Sequence, residues 1–278
     1  MRISIITPSF RSASFIRQCV ASIADQEVDC EHIIQDAGSD DGTLDIVRNL
    51  PGVKLHVEKD QGMYDAVNRG LRKATGEIAA YLNCDEQYLP GTLPEVLRWF
   101  QDHPECDVLF GDIVVTAPEG GYLCDRTALV PTEAHTRVSA NLSFFTAATF
   151  FRREAVMSRN LWFNPAWKVV GDSIWALDLI RSGVRMAAVR KRFSAFAYSG
   201  RNLSLDPKAS AERARLRLGA RPWIRALRPL IVANFRLRRL MAGGYSIAPY
   251  SYEVFTPQNV GKRTRFNVPR PTHRWPGG

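Results

Sequence analysis

The sequence predicts an α/β fold: a mostly parallel sheet with helices on both faces. Two observations carry that expectation. Short apolar runs alternate with helical patterns through the first 110 residues, the spacing of strand–helix–strand units. Four of the five loops that follow those runs carry an acid within two residues of the strand end, where such sheets bind their ligands.

The elements follow in order. ISIITP (3–8) reads as the first strand and SASFIRQCVASIAD (12–25) as a helix with apolar residues at helical spacing. EHIIQD (31–36) is a strand, and the Gly- and Asp-rich GSDDGT leads into a helix from about Leu44. VKLHVE (53–58), MYDAVNRGLRKA (63–74) and EIAAYL (77–82) continue as strand, helix, strand. TLPEVLRWFQDH (92–103) is helical and DVLFGD (107–112) is a further strand. From Ile113 to Phe151 the pattern loosens into short strands and turns. GDSIWALDLIRSG (171–183) is a helix that Asp172 can cap and Gly183 can end. Residues 184–198 read as two short strands, and 207–218 as a helix. An Arg-rich stretch and a Pro- and Tyr-rich end follow, giving a basic helical C-terminal extension from about residue 201. The expected division is 1–200 (1–115 and 116–200 as its two halves) and 201–278.

A chain of 278 residues, 45% hydrophobic and 23% charged, has the composition of a globular protein with a sizeable core. Its five cysteines show no CxxC spacing and read as reduced thiols, which argues for a cytoplasmic protein. The N-terminal apolar run is too short for a signal peptide, and no run reaches the length of a membrane span. The net charge of +9 conceals a split: residues 1–180 hold 16 Lys and Arg against 25 Asp and Glu, whereas 181–278 hold 21 against 3. An acidic working half and a basic end that meets something anionic are implied.

Neither a P-loop nor a dinucleotide fingerprint is present, and HExxH is absent. The run YLNCDEQYLPG (81–91) supplies more oxygen ligand than a turn needs. Asp85 and Glu86 suit a hard divalent cation, or equally a solvated turn. Asp36 stands at a strand end, facing a base or ribose or serving the turn, while Asp40 and Asp41 read as helix-capping acids.

Three blocks, TPSFRSASFIRQCVASI, IIQDAGSDDGT and EKDQGMYDAVNRGLRKATGEIAAYLNCDE, occur in that order and spacing. Together they resemble the nucleotide-sugar half of family 2 glycosyltransferases, nearest to the bacterial exopolysaccharide, capsule and O-antigen group. The resemblance implies a GT-A fold and transfer of one sugar from a nucleoside diphosphate, with inversion at the anomeric carbon. It implies donor contacts from Pro8, Phe10, Arg11, Asp36, Gly38, Asp60, Gly62, Asn83 and Asp85. Asp85 would hold Mg²⁺ or Mn²⁺ against the diphosphate; Asn83 replaces the first acid of the family's Asp-x-Asp. FNPAWKVVGDSIWALDL (163–179) matches the segment that carries the catalytic base, so Asp172 is the expected base, and Asp112 in FGD is the alternative base or an acceptor contact. Trp175, with Trp162 and Trp167, reads as a surface for stacking a sugar or, more commonly at this aromatic density, as core.

The processive signature Q-x-x-R-W is absent, which favours single addition. RPWIRALRPLIVANFRLRRLMAGG (221–244) mixes arginines with Trp, Leu and Phe, as suits the headgroups of an anionic inner leaflet. A polyprenyl-diphosphate-linked or other glycan acceptor, and a peripheral position at the inner membrane face, follow from that reading. The rival classes are an inactive relative that binds nucleotide or scaffolds a complex, and a nucleic-acid-binding protein. No nucleic-acid module is recognisable, so nucleic acid is not the expected partner.

Overall fold

The apolar runs of the first half form parallel strands in the computed structural model, which describes residues 1–139, 142–200, 202 and 207–275. β1 (Ile3–Ser9) lies between β2 (Cys30–Asp36) and β4 (Ile78–Tyr81), and β3 (Val53–Val57) extends the sheet beyond β2, all parallel. β1 is buried throughout, and covering both faces requires its apolar run to be continuous. Alternate residues serve opposite faces: Ile3 and Ile5 join Cys19 and Ile23 of α1 (Ile16–Ala24), while Ile6 joins Tyr64, Val67 and Leu71 of α3 (Met63–Lys73). α2 (Thr43–Arg48) connects β2 to β3.

Beyond β4 the sheet becomes mixed. The elements are β5 (Glu86–Tyr88), α4 (Thr92–Asp102), β6 (Val108–Thr116), β7 (Tyr122–Arg126), α5 (Glu133–Ser139), β8 (Thr149–Arg152), α6 (Arg153–Met157), α7 (Gly171–Ser182) and β9 (Met186–Ala197). The strand order is β3-β2-β1-β4-β8-β6-β9-β5, with β7 paired to β6. β8 runs antiparallel between β4 and β6. The mostly parallel α/β class read from the sequence is therefore the class found.

Two strand assignments differ from expectation. Residues 184–198 form one strand, not two, because its pairing with β6 shifts register beside Asp112 without breaking. Glu86 opens a short strand, β5, paired antiparallel to β9.

The C-terminal extension is helical only in its first part. α8 (Pro207–Leu218), α9 (Pro222–Ala226) and α10 (Arg228–Met241) precede an antiparallel hairpin, β10 (Tyr250–Thr256) and β11 (Asn259–Val268). The hairpin docks on the body: Tyr252, Val254 and Val268 pack with Leu89, Val114 and Ala195. Gln87 and Phe255 exchange two hydrogen bonds, at 2.9 and 2.8 Å, and Arg263 pairs with Asp25. Among the described residues no helix is long and apolar enough to cross a membrane.

Candidate active site

The strand order reverses at β1, so the crevice between the carboxyl ends of β1 and β4 is the topological switch point where open α/β sheets bind ligands. A cleft of about 1160 Å³ opens there. Pro8, Phe10, Arg11, Asp60, Gly62, Asn83, Asp85 and Asp172 all line it, so loops far apart in sequence converge as the spacing predicted. Asp36, Gly38, Asp112 and Trp175 do not line it.

The reasons are specific. Asp36 is fully buried, and its carboxylate accepts hydrogen bonds from Ser9 Oγ (2.7 Å), Ser39 Oγ (2.8 Å) and the N–H groups of Gly38 (2.9 Å) and Ser39 (2.7 Å). Those bonds brace the β1 and β2 loops, with Gly38 as the turn residue. Trp175 is a core residue, 1% exposed, stacked on Phe163 at 4.7 Å with Nε1 donating to the Leu161 carbonyl. Asp112 is buried on β6, where it accepts the Ala128 N–H at 2.8 Å and pairs with Arg190 at 3.3 Å.

Arg11 is committed to Asp40 through two 2.7 Å hydrogen bonds, so Asp40 clips the first two loops together and does not cap a helix. Asp41 does serve the helix start, accepting the Thr43 N–H at 3.1 Å. The clip leaves the Phe10 ring 55% exposed on the cleft, with Arg11 over it at 5.2 Å, a face suited to stacking against a planar base.

At the end of β4, Asp85 is half-buried; its Oδ2 accepts from Asn202 Nδ2 at 3.1 Å. Glu86 beside it is buried and takes the Asn83 N–H at 2.8 Å. Burial pushes both carboxyls up, and the Asp85 charge pushes Glu86 further. Both acids line the cleft; Glu86, the more buried, also holds the turn through Asn83. Asp60 accepts the Gly62 N–H at 2.8 Å, and burial raises it too.

Asp172 reaches the same cleft from α7. It is not the helix cap: Val170 occupies that position without a side-chain cap bond, and Asp172 Oδ1 takes the Ser173 N–H at 2.7 Å. Burial pushes its carboxyl up to about 6, against the Ser173 N–H, Tyr64 and Arg213, which favour the charged form. A Cβ on Gly171 would lie 2.5 Å from the Tyr64 ring, so glycine there lets Tyr64 close beneath Asp172. The segment leading in is held by Glu212 of α8, whose carboxylate accepts the N–H groups of Lys168 (2.7 Å), Val169 (2.9 Å) and Val170 (3.0 Å).

Sequence reading missed Glu212, and with it Asn202, Arg213, Arg126 and Trp275, which also line or brace the cleft. Glu212 had a visible signal: it is a lone acid in an Arg-rich helix. The expected boundary near residue 200 runs through this site, because Asn202, Arg213 and Trp275 lie beyond it.

The fold and the switch-point cleft together define a GT-A-type protein. Residues 4–156, more than half of the chain, match the profile of glycosyl transferase family 2, and the chain belongs to that family. A PGL/p-HBAD biosynthesis glycosyltransferase of Mycobacterium bovis is 39% identical over 120 residues, 40% of this chain and 46% of that one. The putative teichuronic acid biosynthesis glycosyltransferase TuaG of Bacillus subtilis is 31% identical over 124 residues, 42% of this chain and 49% of that one. The matches thus span about half the length of these relatives. Among solved structures, S. aureus TarS 1-349 in complex with UDP-GlcNAc superposes with a TM-score of 0.64 at 22% identity, covering 87% of this chain and 73% of that one. Mannosyltransferase PcManGT from Pyrobaculum calidifontis, in complex with GDP-Man and Mn²⁺, gives 0.59 at 21% identity, covering 84% and 69%.

Proposed function

We propose that the chain transfers one sugar, with inversion, from a nucleoside-diphosphate sugar to a hydroxyl of a glycan acceptor in cell-surface polysaccharide synthesis. The observation that carries this reading is that Asp85, inside the matched family 2 region, and Asp172, beyond it, line one cleft at the switch point. The relatives named for surface glycan synthesis and the neighbours crystallised with UDP-GlcNAc and GDP-Man support it.

Phe10 offers its exposed ring to the base, and Asp60 lies where it can meet ribose or phosphate. Asp172 takes the proton of the attacking acceptor hydroxyl as that oxygen bonds to the anomeric carbon and the bond to the diphosphate breaks. A carboxyl raised to about 6 is a stronger base than an ordinary carboxylate, yet still ionised near neutral pH. Arg213, also on the cleft, favours that ionised form.

The donor set fits Mg²⁺ or Mn²⁺ completed by substrate. Asp85 offers a carboxylate and Asn83 an amide oxygen, and no group of three His, Cys, Asp or Glu among the described residues would hold an ion unaided. Such ions bind through one or two carboxylates plus substrate phosphates. When bound, the ion would neutralise charge growing on the leaving diphosphate.

The acceptor in this reading is linked to polyprenyl diphosphate and met at the inner membrane face. Among the described residues, seven of the nine exposed large apolar side chains fall between Leu218 and Met241, amid arginines, which suits an anionic lipid surface. The test is release of nucleoside diphosphate from a panel of nucleotide sugars with Mn²⁺ and membrane extract. Turnover of one donor, abolished by Asp172→Asn, is expected; no turnover of any donor by folded protein would overturn the reading.

A further inference from the structure

α10 is built the wrong way out for a soluble helix. Of its residues only Arg239 is buried, 7% exposed, while Leu230, Leu237, Leu240 and Met241 face outward. The Arg239 guanidinium lies over the Tyr245 ring at 5.0 Å, and among the described residues its buried Nε and Nη2 meet no hydrogen-bond partner. The surroundings accommodate it closely: a Cβ on Gly244 would lie 2.7 Å from Arg239 Cγ.

A second cation stands beside it. Arg126, the last residue of β7, lines the cleft, stacks on Phe145 and Trp275 at 5.9 and 5.6 Å, and donates to the His273 carbonyl at 3.4 Å. The acids of this region are already engaged, Asp112 by Arg190 and Asp125 by Arg192. Burial, then the charge of Arg239, pulls Arg126 below an ordinary guanidinium. Geometry links the two cations: the Tyr245 ring under Arg239 meets the His273 ring edge-on at 4.8 Å, and the His273 carbonyl accepts from Arg126.

Desolvated guanidinium groups without carboxylates are costly, and an oxyanion binding them in charge-assisted hydrogen bonds offsets that cost. We propose that Arg126 and Arg239 form an anion site at the edge of the cleft that takes a phosphate group of the acceptor. This rests on the transferase reading, in which the donor diphosphate occupies the Asp85 end. Arg126 opens the site to the cleft, and Arg239 closes its floor.

The test is thermal melting in chloride buffer with EDTA, titrating inorganic phosphate or farnesyl diphosphate. Either probe is expected to raise the melting temperature of the wild type by about 2–5 °C at saturation. Arg239→Met should melt no lower than wild type without phosphate and lose the response; Arg126→Met, which tests the site should the first variant not fold, should lose it too. Farnesyl diphosphate acting at about ten-fold lower concentration supports the site and assigns it to an isoprenoid-linked phosphate; equal potency supports it and assigns a soluble phosphate ester. A wild type that ignores both probes, or variants that respond as the wild type does, would overturn the proposal. Melting with nucleoside diphosphates and Mn²⁺ separates the two claims. That response without a phosphate response sinks this site alone; the reverse sinks the transferase reading and leaves an anion site whose assignment to an acceptor falls with it.

Discussion

Glu212 Oε2 accepts the Val170 N–H at 3.0 Å, joining the basic C-terminal extension to the residue that caps α7. The same carboxylate takes the N–H groups of Lys168 and Val169, so three amides that precede Asp172 point at one acid. The extension is thereby part of the site's framework.

Replacing Glu212 by Ala removes three charge-assisted hydrogen bonds at a half-exposed position, for a stability loss of about 1–2 kcal/mol. Burial raises the Glu212 carboxyl but the three N–H groups outweigh it, so its net shift is downward. Its stabilisation is therefore present above the ordinary glutamate pKa and lost as pH falls through the lower folded value. Urea unfolding at pH 7 and pH 3 checks this: the gap between wild type and Glu212→Ala should close at the lower pH. Turnover should fall about ten-fold with nucleotide affinity unchanged, since only the approach to Asp172 is loosened.

In the proposed reading Asp172 is the base and sets the pH dependence. A base acts when ionised, so kcat/KM should rise with pH through about 6 and level off above it. Asp172→Asn should lower kcat about 10²- to 10⁴-fold and abolish that rise while leaving nucleoside diphosphate affinity intact. An Asn variant retaining wild-type rates would remove Asp172 from the chemistry.

Gly171→Ala would press a methyl group to 2.5 Å from the Tyr64 ring at the start of α7. Overpacking of this kind costs about 1–3 kcal/mol. Melting curves should report that loss, and kcat should fall with it because Tyr64 and Asp172 shift together.

The outward face of α9 and α10 predicts a change in binding without a change in folding. Trp223 is 59% and Leu230 66% exposed, so Trp223→Ser with Leu230→Ser should leave stability within about 0.5 kcal/mol. Cosedimentation with phosphatidylglycerol vesicles should drop sharply in the variant; equal sedimentation would remove this face from the membrane account.

The donor half was legible because its signals are local. Each strand end delivers its loop to one edge of the sheet, and the family resemblance singled out Phe10, Asp60 and Asp85 in those loops, all of which line the cleft. Sequence left two readings of Asp36 even for a physical reason: a strand-end acid can satisfy neighbouring hydroxyls and amides as readily as a ligand, and here its bonds go to Ser9 and Ser39. Trp175 illustrates the usual fate of an aromatic on an apolar helix. The parts that were not legible act across long separations. Asn202 meets Asp85, and Glu212 meets Val170, through folding that no window of sequence encodes. The hairpin Tyr250–Val268 had an alternating pattern, but Pro and Tyr content obscured it.

The most direct test of the central claim is calorimetric titration of UDP, GDP, dTDP and CMP into wild type and Asp85→Ala, each with and without Mn²⁺. The account predicts that one nucleotide binds, that Mn²⁺ tightens it by at least about ten-fold, and that Asp85→Ala abolishes the gain. Binding that is unaffected by both the metal and the substitution, or no binding by folded protein, would contradict it.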